Sequence, residues 1–129
     1  MAERILIVED EEKLAGLLRD YLVQEGYEVS LLHRGDEVEA WVRGHPVDLV
    51  LLDLMLPYAS GYQVLIEARK NAKWLKVPII VVTARTLEMD AVRALETGAN
   101  DFVRKPFRPD ELIARVRRAI AIGRQRGAA

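Results

Sequence analysis

The chain has 129 residues and a mass of 14.6 kDa, enough for one ordinary domain that buries roughly two-thirds of its unfolded surface, and too few for two. Half of the residues are hydrophobic and 30% are charged, with 19 Lys and Arg against 20 Asp and Glu, a balance that excludes a disordered chain, a fibre and a polyanion-binding basic protein. The absence of cysteine excludes a disulfide framework, a thiolate zinc site and a cysteine nucleophile, and is compatible with the cytoplasm.

Met1, Ala2, Glu3 and Arg4 lead into an apolar run, Ile5–Val8, too short to span a membrane and without the long apolar core of a signal peptide. A cytoplasmic protein with no membrane partner is therefore expected. The run itself is nearly unbroken and β-branched, the mark of a strand buried on both faces. Leu14, Leu17, Leu18, Tyr21 and Leu22 then fall on one helical stripe, which Gly26 closes in a left-handed cap. Tyr27–Leu32 reads as a second strand, and Asp36–Arg43 as a helix ended by Gly44. Val47–Leu52 is a third strand, followed by a helix over Tyr62–Lys70 with Val64, Leu65 and Ala68 turned inward. Val77–Val82 is a fourth strand, and the next helix carries Met89, Val92 and Leu95 and stops at Gly98. Asp101–Val103 is a short fifth strand. Pro109 opens a last helix whose Leu112, Ile113, Val116 and Ile120 face the sheet. Residues 1–122 form the domain, and 123–129 read as a tail or the start of a linker.

Strand then helix, five times over with short connections, predicts helices on both faces of a parallel sheet: a doubly wound α/β domain. In such sheets the functional crevice lies beyond the carboxyl ends of the strands. Glu9 and Asp10 follow the first strand, Asp53 the third, Thr83 and Ala84 the fourth, Lys105 and Pro106 the fifth. Three carboxylates brought that close repel one another unless a cation compensates them. Magnesium takes one or two carboxylates together with waters and a phosphoryl oxygen, so Asp10 and Asp53 fit as direct ligands, with Glu9 acting through a water. A carboxylate is also a nucleophile toward phosphorus, with the metal, Lys105 and Thr83 neutralising the equatorial oxygens. Taken singly, Asp10 reads as a helix cap, Thr83 as a loop hydroxyl and Lys105 as a solvated amine; the four matched strand ends outweigh those readings.

Four segments in order, ILIVEDEE (5–12), DLVLLDLMLP (48–57) followed by Gly61, VVTAR (81–85) and GANDFVRKPF (98–107), resemble the receiver domain of bacterial two-component response regulators. The resemblance covers nearly the whole chain. It implies a flavodoxin-like five-stranded parallel sheet of order 2-1-3-4-5 with five helices, Asp53 as phosphoacceptor, and Mg2+ held by Glu9, Asp10, Asp53 and the main-chain carbonyl of Met55. Thr83, Ala84 and Lys105 would contact the phosphoryl group, Thr83 and Phe102 would form the switch pair, and Lys105-Pro106 looks like the family's cis peptide. Phe102 lacks a hydroxyl, so its inward state gains burial but no terminal hydrogen bond. Met55 and Arg85 occupy positions that tune hydrolysis in the family.

The last third looks most like the winged-helix (OmpR/PhoB-like) transcription-factor subfamily, whose receivers dimerise through the fourth helix, fifth strand and fifth helix. By that resemblance Arg93, Glu96, Asp101, Arg104, Glu111, Arg115 and Arg118 belong to a dimer interface formed on phosphorylation. The implied partners are a sensor histidine kinase and a second copy of the chain, with DNA reached only through an effector domain this sequence does not contain. A chain cut at a linker near Gly123 is expected over a stand-alone receiver, because Arg124 and Arg126 resemble such a linker. Three departures stand out. Tyr58, Ala59, Ser60 and Gly61 replace a common Gly-x-Asp-Gly, Asn100 stands where an acid is common, and Arg108 sits where a capping side chain is usual. His33 and His45 read as surface residues, Trp41 as packing, and Trp74 as partly exposed among Lys73 and Lys76. A magnesium-dependent aspartyl phosphatase would show D-x-D-x-T after the first strand, and an FMN carrier a hydroxyl- and glycine-rich loop; Glu9–Glu12 matches neither.

Overall fold

The computed structural model describes residues 2–84 and 88–128. Five strands, β1 (Arg4–Val8), β2 (Glu28–Leu32), β3 (Leu49–Leu52), β4 (Ile79–Thr83) and β5 (Asp101–Arg104), pair in parallel in the order β2-β1-β3-β4-β5. Five helices connect and close them: α1 (Glu12–Gln24), α2 (Val38–Gly44, preceded by a 3-10 turn at Gly35–Glu37), α3 (Gly61–Ala68), α4 (Glu88–Thr97) and α5 (Pro109–Ala128). Three strands start later than expected, β2 by one residue at Glu28 and β3 and β4 by two, the latter pair for local reasons. The Asp48 carboxylate turns to accept from Arg4 N at 2.7 Å, and Pro78 has no N–H to give a ladder, so β3 opens at Leu49 and β4 at Ile79.

Alternation along the strands divides the interior in two. Leu6, Val8, Val50, Leu52, Ile79 and Val81 point to the side covered by α2, α3 and α4, where Val38, Leu65, Ala68, Trp74 and Ala94 meet them. Ile5, Ile7, Leu49, Leu51, Ile80 and Val82 point to the side covered by α1 and α5, against Leu18, Leu22, Leu112, Val116 and Ile120. Burial on both faces explains why these runs carry no polar residue until their carboxyl ends.

The helices differ from expectation in which stripe they bury. On α1, Leu18 and Leu22 are buried, but Leu17 is 48% exposed. On α4, Met89 (71% exposed), Val92 and Leu95 all face outward, while Asp90 and Ala94 face the interior. Small residues there let the helix lie close to the sheet, and the Asp90 carboxylate is accommodated by the Tyr62 hydroxyl, which donates to its Oδ1 at 2.9 Å. Trp74 is fully buried, at 1% exposure, despite its lysine neighbours. Helix α5 continues through Gly123 to Ala128, where a tail was expected. Arg124 and Gln125 are good helix formers, and Arg124 pairs with Glu3 at 3.1 Å. Gly26 has φ 94°, the expected left-handed cap.

The three departures have structural counterparts. Ser60 caps α3 in a reciprocal capping box with Gln63, so the missing acid is replaced as a cap. Asn100 Oδ1 accepts from Arg69 Nη2 at 2.9 Å and from Ile79 N at 2.8 Å, tying α3 to the start of β4. At α5, Asp110 Oδ1 accepts from Glu111 N at 2.9 Å, and its other oxygen pairs with Arg108 at 3.1 Å. Among the described residues no helix is long and apolar enough to cross a membrane.

Candidate functional site

The carboxyl ends of β1, β3, β4 and β5 converge as the strand order requires. Glu9, continuing β1, is buried, and its amide donates to Leu32 O at 2.9 Å. Asp53, the first residue past β3, is also buried, with its amide donating to Val8 O at 3.1 Å. Asp10 is exposed at the mouth. One carboxylate oxygen from each of these acids lies within 4.8 Å of the others. Oxygen donors gathered at that spacing suit a hard divalent cation.

Lys105 supplies the counter-charge. Its Nζ bonds to Glu9 Oε1 and, at 2.9 Å, to Asp53 Oδ2. Burial alone would lower the amine's pKa, but hydrogen bonds to Glu9 and Asp53 outweigh it and leave it raised. Burial pushes the Glu9 carboxyl from 4.5 up to about 7, with the charge of Asp53 adding to it; the bonds from Lys105 and the Glu11 amide pull the other way without cancelling it. The peptide Lys105-Pro106 is cis. Met55 N donates to Asp53 Oδ1 at 3.0 Å, so the β3–α3 loop holds one carboxylate oxygen and Lys105 the other. Thr83 ends β4 fully buried, its strand position set by Lys105 N donating to its carbonyl at 2.9 Å, and Ala84 is exposed beside it. Gly61 crosses so close to the Asp53 and Leu54 backbone that a Cβ would collide with it, which explains the glycine at the start of α3.

Phe102 is half-buried at the edge of the α2–α4 core and lines, with Ala91 and Leu95, an open cleft between α4 and β5. Of the expected interface charges, Asp101, Arg104, Glu111 and Arg115 line that cleft. Arg115 grips Asp101 through two bonds of 3.0 and 2.9 Å and also pairs with Glu111 at 2.9 Å. Arg93 stacks on the Tyr62 ring, 3.9 Å from its centroid, and Glu96, Arg104 and Arg118 are exposed. Arg85 lies outside the described residues.

Several contacts around the site were not anticipated. His33 is half-buried rather than on the surface, its Nδ1 2.8 Å from Glu9 O. Arg34 stacks on Tyr58, and Tyr62 reaches Asp90 across 28 residues of sequence. Arg69 donates to the carbonyls of Gly98, Trp74, Leu75 and Val77 as well as to Asn100. Only the first of the aromatic pairs left a trace in the sequence, as a tyrosine where a glycine is common. His45 is exposed as expected, stacked on Trp41 at 4.3 Å.

A five-stranded parallel sheet of this order, with acids and a lysine gathered at its carboxyl edge, is the doubly wound architecture of a receiver domain. The chain belongs to the response regulator receiver domain family, which matches residues 5–117. It is 47% identical over 114 residues to the transcriptional regulatory protein BaeR of Escherichia coli O6:H1, covering 88% of this chain and 46% of that protein. Against the phosphate regulon transcriptional regulatory protein PhoB of Rhizobium meliloti it is 46% identical over 117 residues, covering 91% and 52%. The chain thus spans about half the length of the curated relatives it matches. Among solved structures, the BeF3-activated N-terminal receiver domain of Klebsiella pneumoniae RstA superposes with a TM-score of 0.86 at 32% identity, covering 92% of this chain and 98% of that one. The receiver domain of a LuxO-type repressor from Vibrio parahaemolyticus gives 0.92 at 29% identity, covering 99% and 97%.

Proposed function

We propose that the domain accepts a phosphoryl group on Asp53 from the phosphohistidine of a sensor kinase, and that the modification controls a transcription regulator through the α4-β5-α5 face. The observation that carries this reading is Lys105 bridging Glu9 and Asp53 beside the exposed Asp10: a buried carboxylate held between a cation and two further acids.

An Asp53 carboxylate oxygen attacks phosphorus as the phosphorus–nitrogen bond of the donor breaks, its electron pair returning to the imidazole. Met55 N and Lys105 fix the two oxygens of that carboxylate, so its attacking direction is set before the donor arrives. Glu9, Asp10, Asp53 and the Met55 carbonyl would hold Mg2+, which when bound offsets the acids and the equatorial charge of the transferring group. Lys105 neutralises the same charge from the β5 side, and the Thr83 hydroxyl and Ala84 main chain receive the phosphoryl oxygens. Attack of water on phosphorus would break its bond to the Asp53 oxygen, return that electron pair to the carboxylate and release phosphate, a self-dephosphorylation.

Movement of Thr83 toward the phosphoryl group would free space at the end of β4, into which Phe102 turns from the α4–β5 cleft. That changes the surface carrying Arg93, Glu96, Asp101, Arg104, Glu111, Arg115 and Arg118, through which two copies would pair. The relatives named as transcriptional regulatory proteins, about twice as long, support an effector domain as the output and DNA as its target, with residues 1–122 as the receiver and 123–129 leading toward the effector; action in the cytoplasm follows from that role. The test is intact-mass spectrometry after incubation with acetyl phosphate and magnesium, beside Asp53→Asn and an EDTA control. One phosphoryl adduct absent from both controls is expected. No adduct on the folded protein would refute the reading.

A further inference from the structure

Two loops meet at the rim of the acidic pocket and carry contacts that the phosphoryl chemistry does not use. Residues 33–37 follow β2, and residues 53–60 follow β3. Tyr58, in the second loop, has φ 71°, a left-handed conformation that is uncommon and costly for a bulky side chain. Its ring is largely exposed, yet the Arg34 guanidinium carbon sits 3.7 Å from the ring centroid. Arg34 is itself aimed by Asp36, through bonds of 3.0 and 2.7 Å, and by Glu37 at 3.6 Å. One residue further on, Gly35 N donates to Pro57 O at 3.4 Å, and a Cβ on Gly35 would collide with the Ala59 carbonyl.

Both loops are anchored on the acids. His33 Nδ1 lies 2.8 Å from the Glu9 carbonyl, and Met55 N holds Asp53 Oδ1 at 3.0 Å. A shift of residues 57–59 would therefore be passed along three residues to the Met55 peptide and the Asp53 carboxylate. A left-handed tyrosine does not keep itself in place; the arginine stacked on it and the glycine packed under Ala59 do.

We infer that Arg34 and Tyr58 form a clasp that positions the 53–60 loop, and with it the Met55 main chain and the Asp53 carboxylate, for a divalent cation. Arg34 acts through Tyr58 and touches no reacting atom, so it is a positioning residue. The inference rests on the proposed function for the identity of the ion, but not for the existence of the clasp. Electrostatics and positioning predict opposite signs. Removing a cation near an acidic pocket would by itself tighten magnesium, whereas loosening the loop weakens it.

The test is magnesium titration by calorimetry and metal-free amide hydrogen exchange of residues 55–59, on the wild type, Arg34→Ala, Tyr58→Ala, the Arg34→Ala/Tyr58→Ala double variant and the conservative Tyr58→Phe. Arg34→Ala and Tyr58→Ala should each weaken magnesium about two- to fivefold, the span expected for an exposed cation–π contact. Their effects should not add in the double variant, exchange at 55–59 should quicken in all three, and Tyr58→Phe should restore wild-type values. Tighter or unchanged magnesium binding in Arg34→Ala with unchanged exchange would overturn the clasp, as would additive effects. If the wild type binds no magnesium, the proposed function fails, and the exchange arm alone decides the clasp: faster exchange in both single variants supports it and unchanged exchange overturns it.

Discussion

Magnesium affinity should fall about tenfold between pH 8 and pH 6, because the cation must displace a proton from Glu9. Burial, reinforced by the charge of Asp53, pushes that carboxyl from 4.5 to about 7. An acid whose folded pKa is raised binds its proton more tightly in the folded than in the unfolded state. Without metal it favours folding fully below about 4.5, and this contribution is lost as pH rises through 7. A cation competes with the same proton, so apparent affinity scales with the ionised fraction. With a pKa of about 7, that fraction is about nine-tenths at pH 8, half at pH 7 and one-eleventh at pH 6, which gives the tenfold fall. Calorimetry at the three pH values, repeated in two buffers of different ionisation enthalpy, measures both affinity and the proton released, about half a proton per ion at pH 7. Glu9→Gln should bind more weakly, with little change between pH 8 and pH 6. Constant wild-type affinity over that range, or the same slope in Glu9→Gln, would refute the assignment.

Three further outcomes follow from single contacts. Arg115→Ala removes a half-exposed pairing with Asp101 and Glu111, so unfolding stability should drop by no more than about 1 kcal/mol, while self-association in beryllofluoride and magnesium should be lost in the ultracentrifuge; a persistent dimer would remove Arg115 from the interface. Ser60→Ala breaks the capping box of α3 and should cost about 1 kcal/mol in urea unfolding, whereas no change would mean the cap is replaced by water. Asn100→Ala strips an acceptor from Arg69 and from the Ile79 amide and should cost about 1–3 kcal/mol; Asn100→Asp, which keeps the acceptors and adds a charge facing Arg69, should lose less, and an equal loss in both would show that the acceptor is not what matters.

Strand ends were the most legible part of the sequence because their chemistry is local. An apolar run buried on both faces cannot carry Glu9, Asp53 or Thr83 in its middle, so the first polar residue after each run marks the carboxyl edge. Strand order then brings those edges together, and Lys105 joins acids 96 and 52 residues away without any local signal of the bond. Helix α4 was harder to read for the opposite reason. Met89, Val92 and Leu95 make the stronger apolar stripe, yet Asp90 and Ala94 are the inward residues, because the partner that accommodates Asp90 is the hydroxyl of Tyr62 on another helix. Periodicity identifies that a helix is amphipathic; it does not say which face packs inward when a buried polar residue finds a partner on another helix.

The same distinction explains the placing of the site's charges. Glu9, Asp53 and Lys105 sit at the edge of two apolar layers, held by each other and by main-chain amides, with Asp10 alone open to solvent. Counting formal charges, three acids and one amine leave an excess of negative charge in a pocket that burial makes costly, and Glu9 relieves it by keeping its proton up to about pH 7. A core that needed this cluster for stability would replace it with apolar side chains. The cluster instead draws on the stability of the layers beneath it, and the negative charge that remains is what a cation held among Glu9, Asp10 and Asp53 would offset.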